Sequence, residues 1–200
     1  MEFLNGFMSA ALDNNIVFAQ LMGMVTMILI ARRPQDAVRF AGELGLVALV
    51  AGLIGSFFYA ALLKAWGVPY MAPLAYVVLG PGASFAVLTL LSRGKSVDEY
   101  RAAMSRAALY AASAAVMGVS LTTAAGIDAA TATFPWGLGT VFGGAFGVFL
   151  AAALFGTVYQ RIDERLVPHA MRGLPIALVT ASLMALAFSG VAGVAAGLFA

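Results

Sequence analysis

Long runs of apolar residues alternate with short polar stretches along the whole chain. Each run is free of Asp, Glu, Lys and Arg and is close to the roughly 20 residues with which an α-helix crosses a hydrocarbon core of about 30 Å. The pattern therefore predicts an all-α integral membrane protein with six transmembrane helices. These helices cover about residues 14–31, 44–63, 72–91, 107–127, 137–159 and 174–198.

The first run is short for a transmembrane helix and unusually polar for one that faces lipid. Lipid offers no hydrogen-bonding partners, so a broken membrane helix must be covered by protein. We therefore expect the first helix to break near its central glycine, inside the protein. We also expect a kink or break in the third run, because proline removes a backbone donor. The residues behind these expectations are Asn14, Asn15, Gln20, Gly23 and Thr26 in the first run and Gly80-Pro81-Gly82 in the third.

The two halves of the chain share landmarks at a nearly constant spacing. Met22-Gly23 in the first run corresponds to Met117-Gly118 in the fourth, and Leu44-Gly45 corresponds to Leu138-Gly139. With three helices in each half, the second copy would be inverted in the membrane, and such repeats place the functional site where their interrupted helices meet. We predict a single membrane domain over residues 1–200, with repeats at about 1–92 and 107–200 and with the first and fourth segments short or broken.

Composition and charge place this domain in a bilayer. The chain is 62% hydrophobic, with a mean hydropathy of +0.97. All but one of its eleven Lys and Arg residues fall in the first, third and fifth loops, and the exception is Lys64. The positive-inside rule then predicts cytoplasmic loops and two outside termini, in a bacterial or archaeal cytoplasmic (inner) membrane. Because these basic residues are interleaved with acids and flank membrane helices, no nucleic-acid partner is expected.

Polar side chains in or beside the membrane helices are the candidate site residues. One alternative for each is a structural role, as a helix cap or as a partner for backbone groups that a helix break exposes. The other is a place on an ion path. For the acid that ends the fourth run, the structural alternative is a loop residue in water. The candidates are Asn14, Asn15, Gln20, Thr122, Thr123 and Asp128.

Three further features have simple structural interpretations. Arg39 and Glu43 are spaced for a surface ion pair on one helix. The glycines at 139, 143 and 147 share a helix face that lets another helix approach closely, and a contact within the fold is favoured over one with a second protein. The one histidine, His169, is expected in a loop. No set of residues suggests catalytic or metal-binding chemistry in this chain.

Both ends of the chain resemble the RnfA and NqrE subunits of the Rnf and sodium-translocating NADH:quinone oxidoreductase complexes. The similarity rests on Asn14-Asn15 followed by QLMGM, and on VPHAMRGLPIALVTASLMALAFSGVAG at residues 167–193. It implies a six-helix subunit that faces a paralogous RnfE/NqrD-like subunit of opposite topology. It also implies a two-iron two-sulfur cluster between them, held by one cysteine from the first and one from the fourth segment of each subunit.

The chain departs from this family at both cluster-ligand positions. The residue after Met24 is Val25, and the residue after Ala124 is Ala125, where the resemblance implies cysteines; the chain has none. Iron–sulfur clusters require thiolate ligands or, occasionally, imidazole. We therefore expect this chain to bind no cluster or other cofactor by itself. We expect Val25 and Ala125 to pack as apolar side chains near the centre of the repeat.

Three functions fit these observations. The first is an integral membrane subunit of an Rnf/Nqr-like ion-translocating electron-transport complex, without its own iron–sulfur cluster and with a non-catalytic or ion-path role in that translocase. The alternatives are a small inverted-repeat secondary transporter or channel, and a structural or assembly subunit. The resemblance favours the first, with an RnfE/NqrD-like subunit, other complex subunits and lipid as partners. The small residues expected at the contact between subunits are Gly23, Gly118, Ala124 and Ala125.

Overall fold

The computed structural model describes residues 1–31, 36–128, 133–163 and 165–191. Within these ranges the chain forms α-helices and no β-strand, which confirms the predicted all-α fold. Two π-helices, Ser9–Asp13 and Tyr59–Leu63, extend α1 and α4, and 3-10 turns at Pro69–Met71 and His169–Met171 precede α5 and α9. The α-helices are α1 (Glu2–Met8), α2 (Ile16–Gln20), α3 (Met24–Ala31), α4 (Ala37–Phe58), α5 (Ala72–Leu91), α6 (Val97–Ala111), α7 (Ala114–Asp128), α8 (Phe134–Tyr159) and α9 (Leu174–Val191).

The long helices have the length and apolar character of membrane spans, which confirms the predicted membrane fold. Three qualify singly, at Ala37–Leu63, Pro69–Leu91 and Phe134–Tyr159. Helices α6 and α7 qualify together as a span that is bent by 49°. The apolar part of α9, Leu174–Gly190, is shorter, and the end of the predicted sixth helix lies outside the described residues.

The fourth predicted segment is broken, but upstream of the glycine that corresponds to Gly23. The bend lies at residues 112–113, whereas Gly118 lies inside the regular helix α7. The charged stretch before the bend, assigned to a loop by its composition, is helical because a capping box starts α6. The Ser96 side chain accepts from the Glu99 backbone N–H, and the Glu99 carboxylate accepts from the Ser96 backbone N–H.

The first segment is longer and more interrupted than its apolar run indicates. Helix α1 and the π-helix already occupy the residues ahead of Asn14. Two interruptions follow, one at residues 14–15 and one at residues 21–23. The expectation of a short or broken first segment is therefore confirmed.

The glycine face of α8 packs against this first segment. A Cβ atom added at Gly139 or Gly143 would collide with the backbone carbonyl oxygen of Phe3 or Phe7 in α1. One added at Gly147 would lie 3.0 Å from Asn15 Nδ2. Since only glycine allows backbones this close, the three residues serve a contact within the chain, which confirms the favoured interpretation.

The predicted interruption at Gly80-Pro81-Gly82 does not break its helix. Helix α5 continues through these residues, with Pro81 inside it. A proline removes one backbone donor, and the hydrogen bonds of the turns on either side are enough to hold a membrane helix together. The expectation of a break at this position is wrong.

Candidate functional site

The Met22-Gly23 pair of the first segment lies against α7, the helix that contains Met117-Gly118. A Cβ atom added at Gly118 would lie 2.7 Å from Met22 Sδ and 3.2 Å from Ile16 Cδ1. A Cβ atom added at Gly23 would lie 2.6 Å from Ala115 Cβ. Each glycine thus makes room for the other half of the chain. This contact joins the interrupted first segment to α7, and we treat it as the candidate functional site.

A tight left-handed turn separates α2 from α3 at this contact. Leu21 has φ 55° and Gly23 has φ 79°. Positive φ in a non-glycine residue costs about 1–3 kcal/mol, and such strain concentrates at functional positions. The Leu21 side chain is exposed, so burial of that side chain does not offset the strain. The predicted break near Gly23 is confirmed.

Asn15 holds the first interruption together. Its side-chain oxygen accepts from the backbone N–H groups of Val17 at 3.0 Å and Phe18 at 3.4 Å, which caps α2. Its side-chain nitrogen donates to the carbonyl oxygens of Ala11 at 3.0 Å and Gly147 at 3.1 Å. The residue is 1% exposed. Asn15 therefore joins the π-helix, α2 and α8 through hydrogen bonds to backbone groups of all three elements.

The two threonines of α7 do not bond to carbonyls of a broken helix. Thr123 Oγ1 donates to the carbonyl oxygen of Val119 at 2.8 Å, and Thr122 Oγ1 donates to that of Gly118 at 3.0 Å. Both acceptors lie one turn earlier in the regular part of α7. The interruption that would have exposed these carbonyls lies upstream, so this structural role does not apply to them.

The other candidates are not gathered at the contact. Asn14 and Gln20 are exposed at the ends of short helical pieces. Asp128 is the last residue of α7, and its side chain lies outside the described part of the structure. His169 is exposed in a 3-10 turn, as expected for a loop residue.

Both cluster-ligand positions of the resemblance lie on the surface of the chain. Val25 is 71% exposed, whereas the preceding Met24 is 5% exposed. Likewise, Ala125 is exposed beside the buried Ala124. Val25 and Ala125 do not pack against the core of their own chain, because α3 and α7 turn their opposite faces to it. Their packing as apolar side chains near the centre of the repeat stays a prediction.

Three of the four small residues expected at the contact between subunits are buried within this chain. Gly23 and Gly118 are used within the chain, as their contacts with Ala115 and Met22 show. Ala124 is also buried. Of the four, only Ala125 remains available to another protein.

The residues at this site do not fit an iron–sulfur cluster. Val25 and Ala125 present hydrocarbon groups, which cannot replace the thiolate ligands of iron. Among the described residues, no group of three or more His, Cys, Asp and Glu side chains is placed to hold a metal ion.

A second polar cluster, around Glu43, was underestimated from the sequence. Glu43 is 7% exposed, and besides Arg39 it contacts Arg106 at 2.8 Å and Tyr110 at 3.1 Å. The predicted pair of Arg39 and Glu43 is present, with 3.3 Å between Arg39 Nε and Glu43 Oε1. Its description as a simple surface pair is wrong, because Glu43 is buried in a larger cluster. Helix α4 begins at Ala37, seven residues before the apolar run, and this extension draws the carboxylate inside. The sequence does contain an indication of this cluster. Glu43 immediately precedes one apolar run and Arg106 immediately precedes another, so both charges stand at the ends of predicted membrane helices.

Comparison with known proteins gives a consistent picture. A family model described as "Rnf-Nqr subunit, membrane protein" matches residues 3–195. One subunit of the Na(+)-translocating ferredoxin:NAD(+) oxidoreductase complex of Acetobacterium woodii is 28% identical, over 94% of this chain and 96% of that protein. One subunit of the ion-translocating oxidoreductase complex of Alcanivorax borkumensis is 28% identical, over 96% and 97%. Its counterpart in Syntrophotalea carbinolica is 29% identical, over 94% and 95%.

Proposed function

We propose that this chain, which belongs to the Rnf-Nqr family of membrane subunits, is one component of an ion-translocating electron-transport complex. We also propose that this component supplies no ligands to an iron–sulfur cluster. Its relatives bear the names of ion-translocating oxidoreductase subunits and match it over nearly their whole length. The observation that carries the proposal is the exposure of Val25, two residues beyond Gly23, and of Ala125, seven residues beyond Gly118. In the family that the chain resembles, a second subunit covers the corresponding positions.

The partner that fits this surface is a second membrane subunit. Val25 lies just beyond an interruption whose backbone groups lipid cannot satisfy. Membrane helices associate by close packing, and Ala125 provides a small side chain for such packing. The family resemblance supplies the identity, an RnfE/NqrD-like paralogue of opposite topology.

The role within the complex follows from the side chains at the two positions. With Val25 and Ala125 in place of thiolates, this chain would complete the membrane core while other subunits carry electrons. A cluster at this place would require all its ligands from the partner. Glycine contacts and a hydrogen bond from the Asn15 side chain hold the interrupted first segment against α8.

The orientation that we propose places both termini outside the cytoplasmic membrane, because the basic loops lie at the opposite end of the spans. Single cysteines at Ser96 and at Glu2 distinguish the two ends in this cysteine-free chain. With an impermeant thiol reagent on intact cells, we expect labelling of Glu2→Cys only. Labelling of Ser96→Cys alone would show that the orientation is the reverse of the one proposed.

The partner surface can be tested by co-purification from native membranes in mild detergent. Val25→Trp adds bulk on the proposed contact, and Val78→Trp on α5 is its matched control because Val78 is 69% exposed against 71% for Val25. We expect the first variant to lower recovery of a paralogous six-helix protein at least about tenfold, the equivalent of about 1.4 kcal/mol. The control should leave recovery unchanged.

Two results would contradict the proposal. A stable monomer, with no second membrane protein bound at any detergent concentration, would favour the transporter or channel. Stoichiometric iron in the chain purified alone under anaerobic conditions, with the low-temperature paramagnetic resonance signal of a reduced two-iron centre, would contradict the absence of cluster ligands.

A further inference from the structure

A charged cavity lies where α4, α5 and α6 meet, next to the buried carboxylate of Glu43. Its volume is about 150 Å³, roughly the space of five water molecules in the liquid. We propose that this cavity binds a phosphate group, carried either by an anionic phospholipid or by free inorganic phosphate. The charged residues that line it are Arg39, Lys95, Arg106, Glu43 and Glu99.

The carboxylate of Glu43 is already saturated. Its Oε2 accepts from Arg106 Nε at 2.8 Å and from the Tyr110 hydroxyl at 3.1 Å. Its Oε1 accepts from Arg106 Nη2 at 3.2 Å and from Arg39 Nε at 3.3 Å. A carboxylate has about four acceptor positions, and here all are used. Glu43 therefore has no acceptor position left for a hydrogen bond from Lys95.

The second acid of the cavity is committed elsewhere. Glu99 closes the capping box of α6, where its carboxylate accepts from the Ser96 backbone N–H at 3.4 Å. The Lys95 side chain makes no hydrogen bond or ion pair with any described residue. Three cations face two acids, so the cavity keeps an excess of positive charge with spare donors on Arg39 and Lys95.

Arginine and lysine together suit a phosphate. The guanidinium fork bonds two phosphate oxygens at once, and lysine adds a mobile point charge. Arg106 is held in place by Glu43 and by its stacking over the Phe40 ring, 5.5 Å from the centroid. One wall of the cavity is therefore rigid before a ligand arrives, which lowers the entropic cost of binding.

The position of the cavity brings it close to phospholipid headgroups. It lies at the end of α5, and Leu88 and Leu91 contribute apolar wall next to the charges. Basic residues at such membrane boundaries attract anionic lipids. A free phosphate would accept from the same donors without contacting the leucines. Experiment can therefore distinguish a lipid phosphate from a free one.

Native mass spectrometry of the delipidated complex provides the test. The probes are phosphatidylglycerol, diacylglycerol with the same acyl chains, and inorganic phosphate. Lys95→Gln removes a spare cation from an exposed position, and Arg101→Gln is the matched control because Arg101 is exposed on α6 outside the cavity. Arg106 stays unchanged, because its loss would leave a buried carboxylate unpaired.

We expect Lys95→Gln to weaken phosphatidylglycerol or phosphate binding about fivefold, the contribution of one basic residue at a membrane surface. Arg101→Gln should leave it unchanged. Binding of phosphatidylglycerol without binding of inorganic phosphate identifies the lipid as the ligand. Binding of inorganic phosphate that Lys95→Gln weakens to the same extent identifies the free anion. Binding of diacylglycerol as tight as that of phosphatidylglycerol would overturn the proposal. Equal losses in the two variants, or no binding of either phosphate probe, would do the same.

Discussion

The two halves of the chain interrupt a helix at comparable places and stabilise the interruption by different means. In the first half, the residue before α2 is Asn15, which is 1% exposed and makes four hydrogen bonds. In the second half, the residue before α7 is Ser113, which is 4% exposed and whose hydroxyl has no partner among the described residues. The Ser113 hydroxyl instead packs beside Gly23, where an added Cβ atom would lie 3.1 Å from it.

The difference shows which half supports the other. The bonds of Asn15 tie the first interruption to α8, so its geometry is fixed by side-chain chemistry. The bend at Ser113 is filled by the turn of the first segment, so its geometry depends on packing. We therefore expect changes at Asn15 to reach the whole site and changes at Ser113 to remain local.

The largest expected effect is at Asn15. Asn15→Ala removes a helix cap worth about 1 kcal/mol and the two hydrogen bonds that the Asn15 side-chain nitrogen donates, at about 0.5–1.5 kcal/mol each. We expect the free energy of unfolding in detergent to fall by about 3 kcal/mol or more. Asn14→Ala is the control, since Asn14 is exposed and adjacent. Similar losses in the two variants would contradict the anchoring role of Asn15.

The two equivalent glycines should respond differently to alanine. Gly23 has φ 79°, and an added Cβ would lie 2.6 Å from Ala115 Cβ. We expect Gly23→Ala to cost about 2 kcal/mol or more, because the collision with Ala115 Cβ adds to the backbone strain. At Gly118 the helix gains up to about 1 kcal/mol from alanine, and the obstacle is the flexible end of Met22.

Gly118→Ala should therefore stay within about 1 kcal/mol of the parent protein. Thermal unfolding of both variants in the same detergent is the measurement. If Gly118→Ala proves the more damaging, the two halves are more alike at this position than their backbones indicate.

The sequence predicted what depends on composition and missed what depends on orientation. The polar, glycine-containing first run indicated a break, and the structure has one at Gly23. Hydropathy could not tell that Val25 faces outward, because the core of a membrane protein and the surrounding lipid are both apolar. Nor could it tell that Glu43 is buried, because that follows from the extension of α4 and the approach of α6.

The bend in the fourth segment is a second feature that packing, rather than the sequence pattern, determines. The repeat predicts a short or broken fourth segment without saying where the break lies, and the chain bends before α7 while Gly118 continues the helix. The glycine at this position serves a close contact with Met22 rather than a break. A glycine in a sequence is equally compatible with a helix break and with a close contact between helices. Which of the two it serves depends on the residue that packs against it.

The smallest expected effect, and the sharpest test of the comparison, is at Ser113. A buried hydroxyl without a partner carries a desolvation cost, so Ser113→Ala should raise the free energy of unfolding by about 0.5–1 kcal/mol. Ser120→Ala is the matched control, because Ser120 lies on the adjoining helix α7, is 3% exposed, and its Oγ donates to the carbonyl oxygen of Ala51 at 3.2 Å. That variant should lose about 1 kcal/mol. Opposite signs in the same unfolding assay would show that the second interruption is held by packing. Losses of equal size would show that Ser113 has a bonding partner, and that both interruptions are fixed by side-chain hydrogen bonds.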